Sequence, residues 1–164
     1  MLRTLTICAF ILGLTVVAFA QDEPAPKGKV KAETQFSVKS TKAIDAETSK
    51  VGEDVNFILT AAVEADGMKL DEGAEFLARI VNIERLSDDN ESSKISILFD
   101  FIQSGEEFMP CKAVIVSIEN GPPDMKVETS ETFEGGTMLV MAGKNLKIPE
   151  GSIFKIKLIQ DVEQ

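Results

Sequence analysis

The segment Lys69–Val81, KLDEGAEFLARIV, organises the chain, because its residue pattern predicts a tight turn that leads into a long strand. A second copy of the pattern occurs at Lys147–Ile159, KIPEGSIFKIKLI. Both copies keep the lysine, an aliphatic residue, Glu-Gly, a small residue, and a phenylalanine two residues beyond it. Gly73 supplies the positive φ that such a turn requires. We therefore expect a Glu-Gly turn to begin each of two long amphipathic strands that line the same core.

The sequence around the two copies has the alternation of apolar and polar residues that is typical of half-buried strands. Phe36 and Val38 alternate with polar neighbours, and four apolar residues stand in phase within Lys94–Gln103: Ile95, Ile97, Phe99 and Phe101. Almost no window shows helical periodicity. We predict an all-β domain over residues 34–164, a single small β-barrel or barrel-like sandwich of mostly antiparallel strands. The two copies further suggest a pseudo-twofold relation between two parts of the barrel.

Turn residues predict how the strands are connected. Asp66-Gly67 and Ser104-Gly105-Glu106 each indicate a hairpin, the second leading into a strand over Glu107–Glu119. The polar stretch Asp124–Gly136 is expected to be a long, mobile excursion. The last strand, Ser152–Val162, is expected to pair near the start of the domain and so remove an exposed edge.

The first twenty residues predict a signal peptide. Arg3 gives a short basic start, a mostly apolar stretch follows, and Ala18-Phe19-Ala20 matches the A-x-A pattern of cleavage sites. A retained membrane anchor is the alternative, but the apolar run is short for a span. Residues 21–33 are polar and contain Pro, Gly and Lys, which predicts a disordered linker. The leader looks bacterial, so we expect a periplasmic or secreted protein that is not an integral membrane protein after cleavage.

The charge balance excludes some classes of partner. The chain carries a formal net charge of −10, and removal of Arg3 with the leader would make it one unit more negative. A chain this acidic is repelled by nucleic acid and by anionic lipid surfaces. Its 44% content of hydrophobic residues indicates a folded domain with a substantial core rather than a disordered chain.

Residue types needed for common catalysis are missing from the sequence. It contains no His, Tyr or Trp, which removes the usual general base near neutral pH and histidine metal sites. Cleavage would leave Cys111 as the single cysteine, in phase with Met109, Ala113 and Ile115. We interpret it as a buried core thiol, with pairing between chains as the alternative. The sequence thus predicts no enzyme, no catalytic residue, no cofactor and no metal ion.

A few other residues could serve a site. Asp88-Asp89-Asn90-Glu91 could collect oxygen ligands for Ca²⁺, although a solvated hairpin tip is the simpler interpretation, and Asn90 is also a formal glycosylation acceptor. Glu72 and Glu150 could form a paired acidic site or serve as polar turn residues, and we favour the turn. Most phenylalanines fall in strand patterns and are expected in the core, including Phe101 and Phe108. Phe133 lies in a polar segment and is either exposed or anchors its loop.

A run of strand and turn motifs resembles a known type of domain. The motifs are Val51–Val55 (VGEDV), Leu70–Phe76 (LDEGAEF), Ile97–Phe101 (ILFDF), then Gly105 and Pro110, and Ile148–Ser152 (IPEGS). Their order is similar to that of small secreted, uncharacterised bacterial β-barrel proteins and of the C-terminal β-barrel of TrbI-like channel components of conjugative secretion systems. The resemblance implies a barrel fold and a cell-envelope location, and it implies no catalytic residue.

Together these observations predict a non-enzymatic exported protein of the cell envelope, a structural or protein-interaction β-barrel whose partner would be another envelope protein. The alternative is a carrier that holds a small apolar ligand or lipid in the barrel interior. A barrel filled by its own side chains would argue against the carrier.

Overall fold

The structure, a computed structural model, describes residues 28–130 and 132–163. The predicted signal peptide and residues 21–27 of the predicted linker lie outside the described residues. The described residues form fifteen strands: β1 (Lys29–Val30), β2 (Gln35–Ser40), β3 (Ile44–Asp45), β4 (Asp54–Leu59), β5 (Val63–Ala65), β6 (Met68–Leu70), β7 (Glu75–Glu84), β8 (Ser92–Ser104), β9 (Glu107–Pro110), β10 (Ala113–Glu119), β11 (Met125–Thr129), β12 (Thr137–Ala142), β13 (Lys147–Ile148), β14 (Ile153–Leu158) and β15 (Val162–Glu163). The prediction of an all-β fold is confirmed. None of the described segments forms an apolar helix long enough to cross a membrane.

The main sheet is antiparallel and curls into a nearly closed barrel. Its strands follow the order β10-β14-β2-β4-β7-β8, and β8 also pairs with β9. Since β9 and β10 are consecutive parts of one stretch of chain, the sheet almost returns to its beginning. Strand β12 pairs with the first half of β8 and carries β11 at its outer side. The expected pairing of the last long strand near the start of the domain is confirmed, because β14 pairs with β2.

The two copies of the Glu-Gly motif form equivalent turns. Gly73 has a φ of 90° and Gly151 a φ of 80°, conformations that glycine adopts without steric cost. The Gly73 N–H donates to the carbonyl of Leu59 at the end of β4, and the Gly151 N–H donates to that of Ser40 at the end of β2. In return, the N–H of Leu59 donates to Ala74, and the N–H of Ser40 donates to Ser152.

The equivalence extends to the short strands beside the two turns. Strand β5 follows β4 and pairs with β6, which precedes the first turn; β3 follows β2 and pairs with β13, which precedes the second. Each unit therefore consists of a long strand, a short two-stranded sheet, a Glu-Gly turn and the returning long strand. The predicted relation between two parts of the barrel has this hydrogen-bonded repeat as its structural basis.

Phenylalanine side chains fill the interior of the barrel. The ring of Phe57 on β4 lies 4.9 Å from that of Phe154 on β14 and 5.3 Å from that of Phe99 on β8. The rings of Phe36 on β2 and Phe76 on β7 are 5.2 Å apart. None of these pairs comes from adjacent strands of the sheet. The rings therefore meet across the interior, which indicates a barrel filled by its own side chains rather than one that holds a ligand there.

The structure differs from the predictions for three segments. The stretch Glu107–Glu119 is two strands, because strand pairing is interrupted at Cys111 and Lys112 between β9 and β10. Residues 124–136 are not one long excursion: β11 lies within them and pairs along its whole length with β12. Residues 28–33 of the predicted disordered linker belong to the folded domain, since β1 pairs there with β15.

Candidate functional site

An irregularity in β8 creates the most distinctive surface of the barrel. Leu77 on β7 lies opposite Phe101, whereas the next residue, Ala78, lies opposite Phe99. Asp100 is thus an extra residue, which makes the segment a β-bulge. A bulge re-aims the side chains that follow it, and bulges are common beside functional sites.

The bulge turns Asp100 and Phe101 outward together. Phe99 and Ile102 are fully buried on either side of them, whereas the side chain of Phe101 is 42% exposed. The expectation that Phe101 continues the inward phase of Ile95, Ile97 and Phe99 is therefore wrong. The inserted residue reverses the phase, and Ile102 takes the place in the core.

Phe108 enlarges the apolar surface next to Phe101. It lies opposite Gln103 on β9 and is 58% exposed, so its predicted core position is also wrong. Pro110 lies opposite Phe101 on the same face of the hairpin. It occupies β9, whose only partner strand is β8 in the described part of the main sheet, and this fits a residue without an N–H. The turn between β8 and β9 is the predicted one, with Gly105 at a φ of 61°.

Charged and amide side chains surround Phe101 in a shallow groove, and Phe108 and Pro110 lie beside it on β9. We call this surface the outer-face patch, and define it by Asp54, Asn56, Glu75, Leu77, Arg79, Asp100, Phe101, Gln103, Phe108 and Pro110. The groove over β4, β7 and β8 has a volume of about 410 Å³. Arg79 forms an ion pair with Asp100 through two nitrogens, Nε at 3.2 Å from Oδ2 and Nη2 at 3.3 Å from Oδ1. The Asn56 amide donates to Glu75 Oε2 at 3.2 Å.

Cys111 lies next to the bulge on the buried side. Its backbone N–H donates to the carbonyl of Asp100 at 2.9 Å, and its side chain is 2% exposed. Burial, together with the nearby negative charge of Asp100, raises the pKa of the thiol to about 12. The thiol is thus protonated and enclosed, and the interpretation of Cys111 as a core residue is confirmed.

The other residues singled out in the sequence lie away from the outer-face patch. Asp88, Asp89 and Asn90 are exposed at the tip between β7 and β8, where a bridge pairs Ser87 with Asn90. The described residues contain no group of three or more His, Cys, Asp or Glu side chains that could hold a metal ion.

Glu72 and Glu150 are exposed, one on each Glu-Gly turn, and no hydrogen bond or ion pair joins them in the described ranges. Phe133 is half-buried, and its backbone N–H donates to Ser130 Oγ at 3.2 Å within its own loop.

The chemistry of the outer-face patch suits recognition of another molecule. It offers two solvent-exposed rings, three carboxylates and one guanidinium that is already paired. No family model matches the chain, and no curated protein is found to be similar to it.

Proposed function

We propose that this protein is an exported, non-enzymatic β-barrel of the bacterial envelope that binds a protein partner through the outer-face patch. The observation that carries the proposal is the bulge at Asp100. It removes Phe101 from the core and places it beside Phe108 on the surface, where exposure of two large rings to water is unfavourable unless a partner covers them.

The patch has the composition of a recognition surface. Aromatic residues and Arg are enriched in protein interfaces, and here they stand on strands rather than on loops. Strands hold the side chains of the patch in nearly fixed positions, so these side chains lose little conformational entropy when a partner binds. The packed interior of the barrel supports this function over the carrier, because the rings of Phe57, Phe99 and Phe154 occupy the space that a ligand would need.

Export rests on the sequence of the leader. Arg3, the apolar run and Ala18-Phe19-Ala20 support cleavage after residue 20, and the resemblance to envelope barrels supports the location. The mass of the protein purified from the envelope or secreted fraction of its own cells should correspond to a chain that begins at Gln21. A full-length chain recovered from the cytoplasm would contradict export.

Site-specific photo-crosslinking tests the interaction. A photoreactive phenylalanine analogue placed at Phe108 should give a discrete protein adduct in living cells, whereas the same analogue at Val116 should not. Val116 is a matched control because it is an apolar side chain of similar exposure, 45%, presented on β10 by another bulge. The double variant Phe101→Ser/Phe108→Ser, tested with the analogue at Gln103, shows whether the two native rings contribute to binding. Equal labelling from Phe108 and Val116 would refute the proposal.

A further inference from the structure

We infer that the segment of the partner that occupies the outer-face patch is basic as well as apolar, with Lys or Arg side chains laid over the exposed rings. This inference rests on the proposed interaction function and specifies its partner. It follows from the charge around the patch, from the pairing state of that charge, and from the nature of the rings.

The charge around the groove is strongly unbalanced. Asp54, Glu75 and Asp100 line it together with a single cation, Arg79. The groove beside Phe101 thus contains three carboxylates and one guanidinium.

The one cation is not available to an anionic partner. Two of the three guanidinium nitrogens of Arg79 contact Asp100, whereas Asp54, which lies opposite Arg79 on β4, makes no side-chain hydrogen bond or ion pair with any described residue. The Oε2 atom of Glu75 receives only an amide hydrogen from Asn56. The carboxylates of Asp54 and Glu75 therefore remain to attract cations, and complementary charge of this kind determines partner choice and association rate.

The rings favour the same partner. A guanidinium or ammonium group is attracted to the face of an aromatic ring, and the effect is larger where the ring is partly shielded from water. Phe101 projects from the floor of an acidic groove, so an Arg or Lys side chain could lie over the ring and reach a carboxylate at its edge. The apolar part of the segment would cover Leu77, Phe108 and Pro110.

Other occupants fit less well. Nucleic acids and anionic lipids carry the same sign of charge as the patch and the whole chain. A second copy of this chain would also bring a net charge of −10 against an acidic surface. A basic segment of a different protein is the occupant to which the charges point.

The crosslinking experiment at Phe108 is repeated in two backgrounds to test the inference. One is Asp54→Asn/Glu75→Gln, which removes two charges from the patch while the amide oxygen introduced by Glu75→Gln can still accept from Asn56. The other is Asp88→Asn/Glu128→Gln, which removes two exposed charges from the β7–β8 tip and from β11. Loss of two exposed ion pairs between the patch and a basic partner lowers the affinity by about fivefold. We expect the adduct to decrease by about that factor in the first background only, and the crosslinked peptide of the partner to contain Arg or Lys.

Each result decides a separate point. A specific adduct that responds equally in both backgrounds, or whose crosslinked peptide is acidic, would overturn the basic segment and leave the interaction function standing. Absence of a specific adduct would overturn both.

A direct readout uses purified mature protein and two synthetic probes, a peptide alternating arginine and leucine and one alternating glutamate and leucine. Only the first should shift the backbone amide resonances of β7, β8 and β9, and high salt should weaken that response. Equal responses to both peptides would again overturn the inference.

Discussion

At the scale of single residues, two buried serines make opposite contributions to stability. Ser40 is the last residue of β2, and its Oγ is buried without a hydrogen-bond partner among the described residues. Ser93 Oγ donates to the carbonyl of Lys144 at 2.9 Å and accepts the N–H of Leu146 at 2.7 Å. A buried hydroxyl without a hydrogen-bond partner destabilises the folded state. Removal of a hydrogen-bonded hydroxyl is destabilising instead, because it leaves the buried groups that it bonded without a partner.

We therefore expect Ser40→Ala to leave the free energy of unfolding unchanged or to raise it by up to about 1 kcal/mol, and Ser93→Ala to lower it by about 1–3 kcal/mol. Urea unfolding of the two variants beside the parent protein measures both values. Equal losses from the two substitutions would contradict the difference in hydrogen bonding.

The raised pKa of Cys111 leads to a second prediction for a single residue. A thiol whose pKa is about 12 carries almost no thiolate near neutral pH, and the thiolate is the reactive form. At about pH 8 the folded protein should not react with a disulfide reagent such as dithionitrobenzoate, whereas the protein unfolded in guanidinium should release one equivalent of thionitrobenzoate per mature chain. Rapid reaction of the folded protein, or a disulfide-linked dimer on a non-reducing gel, would show that the thiol is accessible.

At the scale of elements, the bulge in β8 predicts that two neighbouring apolar residues contribute very differently to stability. Ile102 is fully buried and lies opposite Phe76 and Met109, whereas Phe101 is 42% exposed. Ile102→Ala should lower the free energy of unfolding by about 2–5 kcal/mol, because it leaves a cavity in the core. Phe101→Ala should cost well below that, since its ring is only partly removed from water. Chemical denaturation of both variants provides the comparison, and a larger loss for Phe101→Ala would mean that β8 runs in the regular phase.

The bulge also marks the limit of what the sequence could predict. Period-two alternation indicates which residues belong to strands, and the Glu-Gly copies indicate where two of them begin, because both patterns depend on local geometry. The insertion of Asp100 depends instead on the register between β7 and β8 and on the bond from Cys111 to its carbonyl. No local pattern around Asp100 records those contacts, so Phe101 and the outer-face patch could not be located. The buried position of Cys111 was predictable, since its phase with Met109 and Ala113 is local.

At the scale of the whole molecule, the first and last strands of the described residues pair with each other. Strand β1 pairs with β15, so the first and last described strands meet beside the barrel. Long-range pairing of this kind, together with β2 against β14, means that the sheet cannot be completed before the C-terminal strands are available.

An ion pair beside this junction makes its stability depend on pH. The Asp161 carboxylate accepts hydrogen bonds from Lys29 Nζ and from the backbone N–H of Ala32 at 2.7 Å, and these bonds lower the pKa of Asp161 below its ordinary value. A carboxyl group with a depressed pKa in the folded state stabilises that state above its ordinary pKa. The contribution disappears as the pH falls through the depressed value. The junction should therefore be strongest near neutral pH and weaken in acid.

Asp161→Asn tests this pH dependence against Val162→Ala, which removes buried apolar contact from the same junction without changing a charge. Amide hydrogen exchange of β1 and β15 is measured at about pH 7 and about pH 3, with intrinsic rates corrected for pH. Relative to the parent protein, Asp161→Asn should lower the protection of both strands at the higher pH, with a smaller difference at the lower pH. Val162→Ala should lower it by similar amounts at both. If the Asp161→Asn difference were the same at the two pH values, the carboxylate would not be what stabilises the pairing of β1 with β15, and apolar packing at Val162 would hold the junction by itself.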